Sequence, residues 1–332
     1  MGENKRVLIL GELSGGTLSA GTREMLGGGR DVADAIGGSL ALALLGDDLR
    51  PAGDEAISYG VDVVYLAEAP QLTDYQADVY LQILERTVDN LKPEILLMGH
   101  TSIGRDLAPR LACRLNTGLS TDTVELAIDA DSGLMRMTRP VYGCKALAVM
   151  VCRTRPQMAT VRLGAMSAGE ANPSRRGEVV TLTTDVDPDR VRTRVVEKLE
   201  EPAEGVALEN AQAVVCGGRG MGSSESFAAL DELARLLGGA VGATRPPCDS
   251  GWMASTRQIG LTGKIVRPDL YIAVALSGSS QHMAGCGGSR RIVAINRDPE
   301  AGIFSAAHFG IVGDYREILP PFVQRVRQIL GD

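Results

Sequence analysis

The sequence predicts an α/β protein of two domains. Each is a mostly parallel sheet flanked by helices, and the C-terminal one is doubly wound. Three observations carry this. Short apolar runs rich in strand formers alternate with longer stretches of helical spacing. The chain has 332 residues, enough for two domains of ordinary size. Glycine is abundant, at 40 residues, while aromatics are only 4 %, which favours turn-rich α/β architecture over an aromatic-packed β fold.

Arg6 to Leu10 (RVLIL) reads as the first strand. Thr22 to Ile36 has helical character that Gly27-Gly28-Gly29 weakens. Ser39 to Leu45 is a strand closed by Gly46-Asp47-Asp48, and Val61 to Leu66 is another. Ala77 to Leu91 carries Tyr80, Leu81, Leu84, Val88 and Leu91 at helical spacing. Pro93 precedes a strand over Glu94 to Met98. Gly104 to Leu115 is a helix with Pro109 in its first turns, where proline is tolerated. The intervening Gly99-His100-Thr101-Ser102-Ile103 reads as a tight turn. His100 reads as a structural hydrogen-bonder, because nothing nearby completes a triad.

Val124 to Thr160 is β-rich, with a hairpin-like turn at Asp129 to Gly133 and strands at Met135 to Pro140 and Ala146 to Cys152. Taken alone, Arg153 to Arg162 is a basic strand edge. From Ala168 to Glu209 polar and charged residues crowd the chain. This is a surface strand plus a connecting segment, and the domain boundary belongs near Pro202, giving domains of 1–200 and 201–332.

Ala211 to Cys216 opens the second domain as a buried strand. Gly217-Gly218-Arg219-Gly220-Met221-Gly222 follows, then Ser223-Ser224 as candidate N-caps of a helix whose apolar face is Phe227, Leu230, Leu233, Ala234 and Leu237. The glycine spacing does not match G-x-G-x-x-G. Glycines still let backbone approach a phosphate, and Arg219 offers it a fork of donors. Ala240 to Ala243 is a short strand leading to Thr244 and Arg245, and Gln258-Ile259-Gly260-Leu261-Thr262-Gly263-Lys264 comes later. Tyr271 to Leu276 is a strand that breaks at Ser277-Gly278-Ser279-Ser280-Gln281-His282. There, small and hydroxyl residues leave backbone N–H groups open to an anion such as a pyrophosphate. Arg291 to Ile295 is a second buried-looking strand. It ends on Asn296-Arg297-Asp298-Pro299 at the same edge, and a further strand reaches Val312. Ligands collect at that carboxyl edge of a parallel sheet.

Composition bounds the function. The net charge is −7, and an acidic chain without a basic stripe argues against nucleic acid. No apolar run approaches a membrane span, and Met1 to Arg6 is charged rather than signal-like, so the expected location is the cytoplasm without direct membrane insertion. The cysteines are Cys113, Cys144, Cys152, Cys216, Cys248 and Cys286. None forms a C-x-x-C pair, so zinc and iron–sulfur spacings are absent and reduced, mostly buried thiols are expected. No paired carboxylates, activated serine or metal set emerges, so no catalytic residue is assigned. A crevice lined with cations suits a cofactor that performs the reaction itself.

The stretch from Ser277 to Ala301 resembles the signature of the electron transfer flavoprotein alpha subunit. The shared pattern is Ser277-Gly278-x-x-Gln281-His282, then Ile292-Val293-Ala294-Ile295-Asn296-x-Asp298-Pro299-Glu300-Ala301. Gly104-Arg105-Asp106-Leu107-Ala108-Pro109-Arg110 and Arg155-Pro156-Gln157-Met158-Ala159-Thr160-Val161-Arg162 are similar to family runs too. The resemblance is weak before Lys92 and strong from Ala211 onward.

The resemblance implies FAD extended on the second domain and a first domain that serves subunit packing. Arg219, Thr244, Ser277 and the neighbouring Gly278, Ser279 and Ser280 would serve phosphates or ribityl groups. Arg245 would lie against the isoalloxazine, beside the loop of Gln258, Ile259, Gly260 and Leu261, and Thr262 would put its hydroxyl near flavin N5. Gln281 and His282 would face the pyrimidine side, with His282 near O2, where a cation favours an anionic one-electron state. Asn296 and Asp314 would hold the adenosine end. Leu261 stands where many members have glutamine, and Thr244 where serine is common. Pro246-Pro247-Cys248 replaces a smaller stretch, and Gly285-Cys286-Gly287-Gly288 is expected to loosen a loop.

The implied function is the alpha half of a heterodimeric electron carrier. Its partners would be a beta subunit, a flavin dehydrogenase donor of acyl-CoA dehydrogenase type, and a quinone reductase or ferredoxin-type acceptor. A bifurcating, NADH-oxidising complex uses the same alpha fold and is the alternative. A non-redox nucleotide-binding regulator is a third reading.

Overall fold

In the computed structural model, residues 5–142, 146–197 and 206–331 are described. The chain divides into two compact units, Met1–Lys198 and Leu199–Asp332. Pro202, where composition sets the boundary, and Cys144 lie outside the described residues.

The first unit runs β1 (Arg6–Leu10), β2 (Leu13–Ser14), β3 (Thr17–Leu18), α1 (Ala20–Ala35), β4 (Ser39–Gly46), α2 (Arg50–Ser58), β5 (Val63–Glu68), α3 (Ala77–Leu91) and β6 (Ile95–Gly99). It continues with α4 (Ser102–Arg114), β7 (Leu119–Thr123), β8 (Glu125–Ile128), β9 (Met135–Val141), β10 (Ala146–Val151), β11 (Gln157–Val161) and β12 (Glu178–Thr181). Seven strands form a parallel sheet in the order β12-β5-β4-β1-β6-β11-β7. Strands β10-β9-β8 form a separate antiparallel sheet.

The continuous apolar runs follow from burial on both faces. In β1, Val7 and Ile9 pack with Leu26 of α1 on one face, while Leu8 and Leu10 pack with Leu84 of α3 and Leu107 of α4 on the other. The triple glycine does not break α1, because close packing requires two of its members. A Cβ on Gly27 would stand 2.2 Å from the Ser167 carbonyl oxygen, and one on Gly28 would stand 2.1 Å from Met166 Sδ.

Three expectations change here. Thr101 caps α4 by accepting from the Gly104 amide at 3.0 Å, so the helix starts early and Pro109 falls in its interior, on an exposed face. The Gln157 to Val161 run is no basic edge. It is fully buried between β6 and β7, and Arg162, just beyond it, pairs with Asp122 through two hydrogen bonds of 2.8 and 2.5 Å. The thiols are not mostly buried either: Cys216 and Cys286 are, Cys152 and Cys248 are partly exposed, and Cys113 is exposed.

The second unit runs β13 (Ala213–Gly217), α5 (Ala228–Leu236), β14 (Ala240–Ala243), α6 (Arg245–Asp249), β15 (Leu270–Val274), α7 (Ser280–Cys286), β16 (Arg291–Asn296), β17 (Phe309–Val312) and α8 (Tyr315–Leu330). Its parallel sheet has the order β14-β13-β15-β16-β17. The winding direction reverses between β13 and β15, which leaves a crevice at the carboxyl ends of those strands. Ser223 and Ser224 do not cap α5; two short 3-10 turns, Arg219–Met221 and Glu225–Phe227, bring the chain to it instead. Helix α8 has no counterpart in the sequence reading, because Pro320 and Pro321 interrupt its pattern. Among the described residues no helix is long and apolar enough to cross a membrane.

Candidate functional site

A crevice of about 610 Å³ opens at the switch point of the second unit. Four of the five strand ends contribute a wall: Arg219 and Gly220 after β13, Thr244 and Pro246 after β14, Leu276 to Ser279 after β15, and Asn296 to Asp298 at the end of β16. His282 of α7 closes one side. Two glycines make this geometry possible. A Cβ on Gly218 would lie 2.4 Å from the Ala275 carbonyl oxygen, so the chain after β13 lies flat against the chain after β15. Gly278 has φ +72°, a backbone conformation that L side chains rarely adopt, and it abuts Ile303. The Asn296 side chain pins two walls together, donating to the Leu276 carbonyl at 2.8 Å and accepting from the Asp298 amide at 3.0 Å.

The guanidinium groups differ in commitment. Arg245 pairs with Asp249 at 3.2 Å and lies outside the lining of the crevice. Arg219 and Arg297 line it, are exposed, and form no ion pair among the described residues. The sequence places Arg297 at the strand edge but gives it no binding role. It is the variable position of Asn296-x-Asp298-Pro299, which a motif reading skips, yet a cation at a strand end is itself a signal.

His282 is only 4 % exposed. Its Nδ1 lies 3.0 Å from the Ile259 carbonyl, which can only accept, so Nδ1 carries the proton. Nε2 then accepts from the Tyr271 hydroxyl at 2.9 Å. Burial pushes the ring below the usual histidine range, against the opposing pull of the Ile259 carbonyl. The ring is therefore neutral near pH 7, and the standing positive charge of the crevice comes from Arg219 and Arg297.

The loop from Gln258 to Lys264 packs on α7 beside the crevice and outside its lining. Gly260 has φ +148°, the Leu261 amide donates to the Gln281 carbonyl at 2.8 Å, and Gln258 Nε2 donates to Thr262 Oγ1 at 3.0 Å. Leu261 and Thr262 are exposed, as is Gln281 in the first turn of α7, next to Ser280. Gly285 does not loosen a loop. It sits in α7, where a Cβ would lie 2.5 Å from the Gly260 amide nitrogen, so it permits close packing.

Asp314 lies in a smaller recess of about 50 Å³, with Tyr315 and Arg316, that shares Gly220, Ala275, Asn296 and Arg297 with the main crevice. It caps α8 by accepting from the Arg316 amide at 3.0 Å with one oxygen. Its second oxygen suits a ribose hydroxyl. A crevice prolonged by a recess, two uncommitted guanidinium groups, glycines that admit close approach and a carboxylate at the far end together fit an extended dinucleotide.

Comparison with known proteins agrees. Residues 7–187 match the electron transfer flavoprotein domain, and residues 207–287 match the electron transfer flavoprotein FAD-binding domain. The electron transfer flavoprotein subunit alpha of Thermoanaerobacterium thermosaccharolyticum is 40 % identical, covering 99 % of this chain and 100 % of its own. That of Bacillus subtilis is 40 % identical over 98 % of both chains. Protein FixB of Azorhizobium caulinodans is 41 % identical, covering 98 % of this chain and 90 % of its own. Matched in both units, and along nearly its whole length by such relatives, the chain belongs to the electron transfer flavoprotein alpha subunit family, and its second unit binds FAD.

Proposed function

We propose that this chain, paired with a beta subunit, carries electrons from a flavin dehydrogenase of acyl-CoA dehydrogenase type to a quinone reductase. The observation that carries the reading is the switch-point crevice with Arg219 and Arg297 uncommitted at its mouth. Among the described residues of its lining the one carboxylate is Asp298, whose Oδ1 accepts from the Glu300 amide and so is tied into its own turn. Bound FAD supplies the electron storage. The residues of the chain would bind and orient it: Arg219 and Arg297 would serve its phosphates, Gly218 and Gly278 would shape the floor, and Asp314 would hold a ribose hydroxyl. Fixed positive charge in a partly desolvated crevice also favours added negative charge there. The first unit serves subunit packing in this reading.

Co-expression with an electron transfer flavoprotein beta subunit tests this. The purified heterodimer is expected to be yellow, to bleach with an acyl-CoA dehydrogenase and its substrate, and to recolour with quinone reductase. A colourless heterodimer indifferent to FAD would overturn the reading. Bleaching by NADH alone would move the assignment to a bifurcating complex.

A further inference from the structure

Beneath the crevice lies a buried cluster of titratable groups, of which His282 alone reaches the lining. Tyr271 from β15, Cys216 from β13 and Cys286 from α7 are fully buried, and His282 is nearly so. They belong to one face of the sheet, among Val214, Ala273 and Ala294. The Tyr271 hydroxyl reaches His282 Nε2 at 2.9 Å, and both thiols pack in the same buried cluster as Tyr271. The thiol hydrogens point elsewhere: Cys216 donates to the Gly217 carbonyl at 3.9 Å and Cys286 to the His282 carbonyl at 3.6 Å. Both sulfur atoms therefore keep lone pairs free to accept from the tyrosine.

We propose that Tyr271 is a positioning residue for His282, its hydroxyl a rotor that lets the buried ring hold either one proton or two. With one proton on the ring, the hydroxyl donates to Nε2. When a proton from solvent bonds to Nε2, the hydroxyl turns about its C–O bond. It then accepts from Nε2–H and directs its own hydrogen to a sulfur of Cys216 or Cys286. One N–H bond forms, one hydrogen bond reverses direction, and no heavy atom need move. Without the rotor, a second proton on the ring would be buried with no acceptor, a costly state.

The charge that draws this proton arrives in the crevice. His282 lines that crevice, whose other charged groups are Arg219, Arg297 and Asp298. Lys264, on the loop packed against α7, is already paired with Glu209. The inference rests on the FAD reading above: reduction places negative charge beside His282, and the ring answers by taking up a proton.

The chain has three histidines, so nitrogen-15 signals can be assigned with His100→Gln and His308→Gln variants. The sample is the FAD-loaded heterodimer, oxidised and then reduced with dithionite, followed from pH 6 to pH 8.5. In the oxidised protein His282 is expected to stay singly protonated on Nδ1. On reduction its doubly protonated fraction should rise at least tenfold at fixed pH. Tyr271→Phe should lose that rise. The Cys216→Ala, Cys286→Ala double variant, which keeps the bond to tyrosine and removes both sulfur acceptors, should lose it too. An unchanged His282 signal on reducing the wild type overturns the proposal, as does a wild-type response in either variant. A colourless heterodimer would instead sink the FAD reading, so the two failures are distinguishable.

Discussion

Gly285 of α7 meets Gly260 so closely that a Cβ on Gly285 would stand 2.5 Å from the Gly260 amide nitrogen. The Val266 amide also donates to the Gly285 carbonyl at 2.7 Å, so the whole 258–266 loop is keyed to this point. Overpacking such a contact costs roughly 1–3 kcal/mol. Gly285→Ala is expected to leave the circular dichroism spectrum intact and to weaken FAD binding about tenfold or more. Equilibrium dialysis of the heterodimer measures it, and wild-type affinity would show that the loop does not support the cofactor.

Much of this is legible in the sequence. Buried parallel strands announce themselves, since both faces of RVLIL and SLALALLG are covered and every residue can be apolar. The strand-end loops of the site carried their own chemistry. What escaped was set by packing at a distance. The direction of the His282 ring depends on Tyr271 and on a backbone carbonyl 23 positions away. The glycines of α1 and α7 read as weak points because their neighbours, Met166, Ser167 and Gly260, come from elsewhere in the chain. The short strand β7 carries Ser120, Asp122 and Thr123, too polar to signal a strand that lies at the edge of its sheet.

Arg219 and Arg297 are expected to act on phosphate groups as charged donors. Hydrogen bonds to charged groups contribute about 1.5–3 kcal/mol each, on the order of ten- to a hundredfold in affinity. Arg219→Ala and Arg297→Ala should each weaken FAD retention by that order, and the loss should shrink as salt rises. Flavin release on ultrafiltration at two salt concentrations reports it. Retention equal to wild type at low salt would remove that arginine from the site.

Glu12 follows β1, half-buried, and accepts from Thr101 Oγ1 at 2.6 Å. Burial raises its pKa above the ordinary glutamate value, and the Thr101 hydroxyl only partly offsets this. A carboxyl raised in the folded state favours folding at acidic pH. That contribution is complete below the unfolded value and is lost as pH rises through the folded one. Glu12→Gln keeps an acceptor for Thr101 without the charge. Its melting temperature should exceed wild type at pH 7, by about 2–4 °C for each kcal/mol, and converge with it near pH 4. A lower melting temperature at pH 7 would contradict this.

Strand β10 is the outer strand of its small sheet, with Leu147 65 % and Val149 52 % exposed. An edge so apolar is a liability unless covered. In the heterodimer reading, the beta subunit covers it. The Leu147→Asp, Val149→Asp double variant should fold normally yet fail to co-purify with that subunit. Undiminished co-purification would place the interface elsewhere.

The strand order of the first unit also bears on how the polypeptide is made. Among the described residues of the large sheet, β7 has β11, formed by residues 157–161, as its one neighbour, and β12, at residues 178–181, completes the opposite border beside β5. A nascent chain that has emerged only to residue 150 therefore holds β6 and β7 with a vacant lane between them. Translation must run past residue 181 before this half can close, so it lingers on the ribosome with pairing edges open, where chaperones have the most reason to attend it.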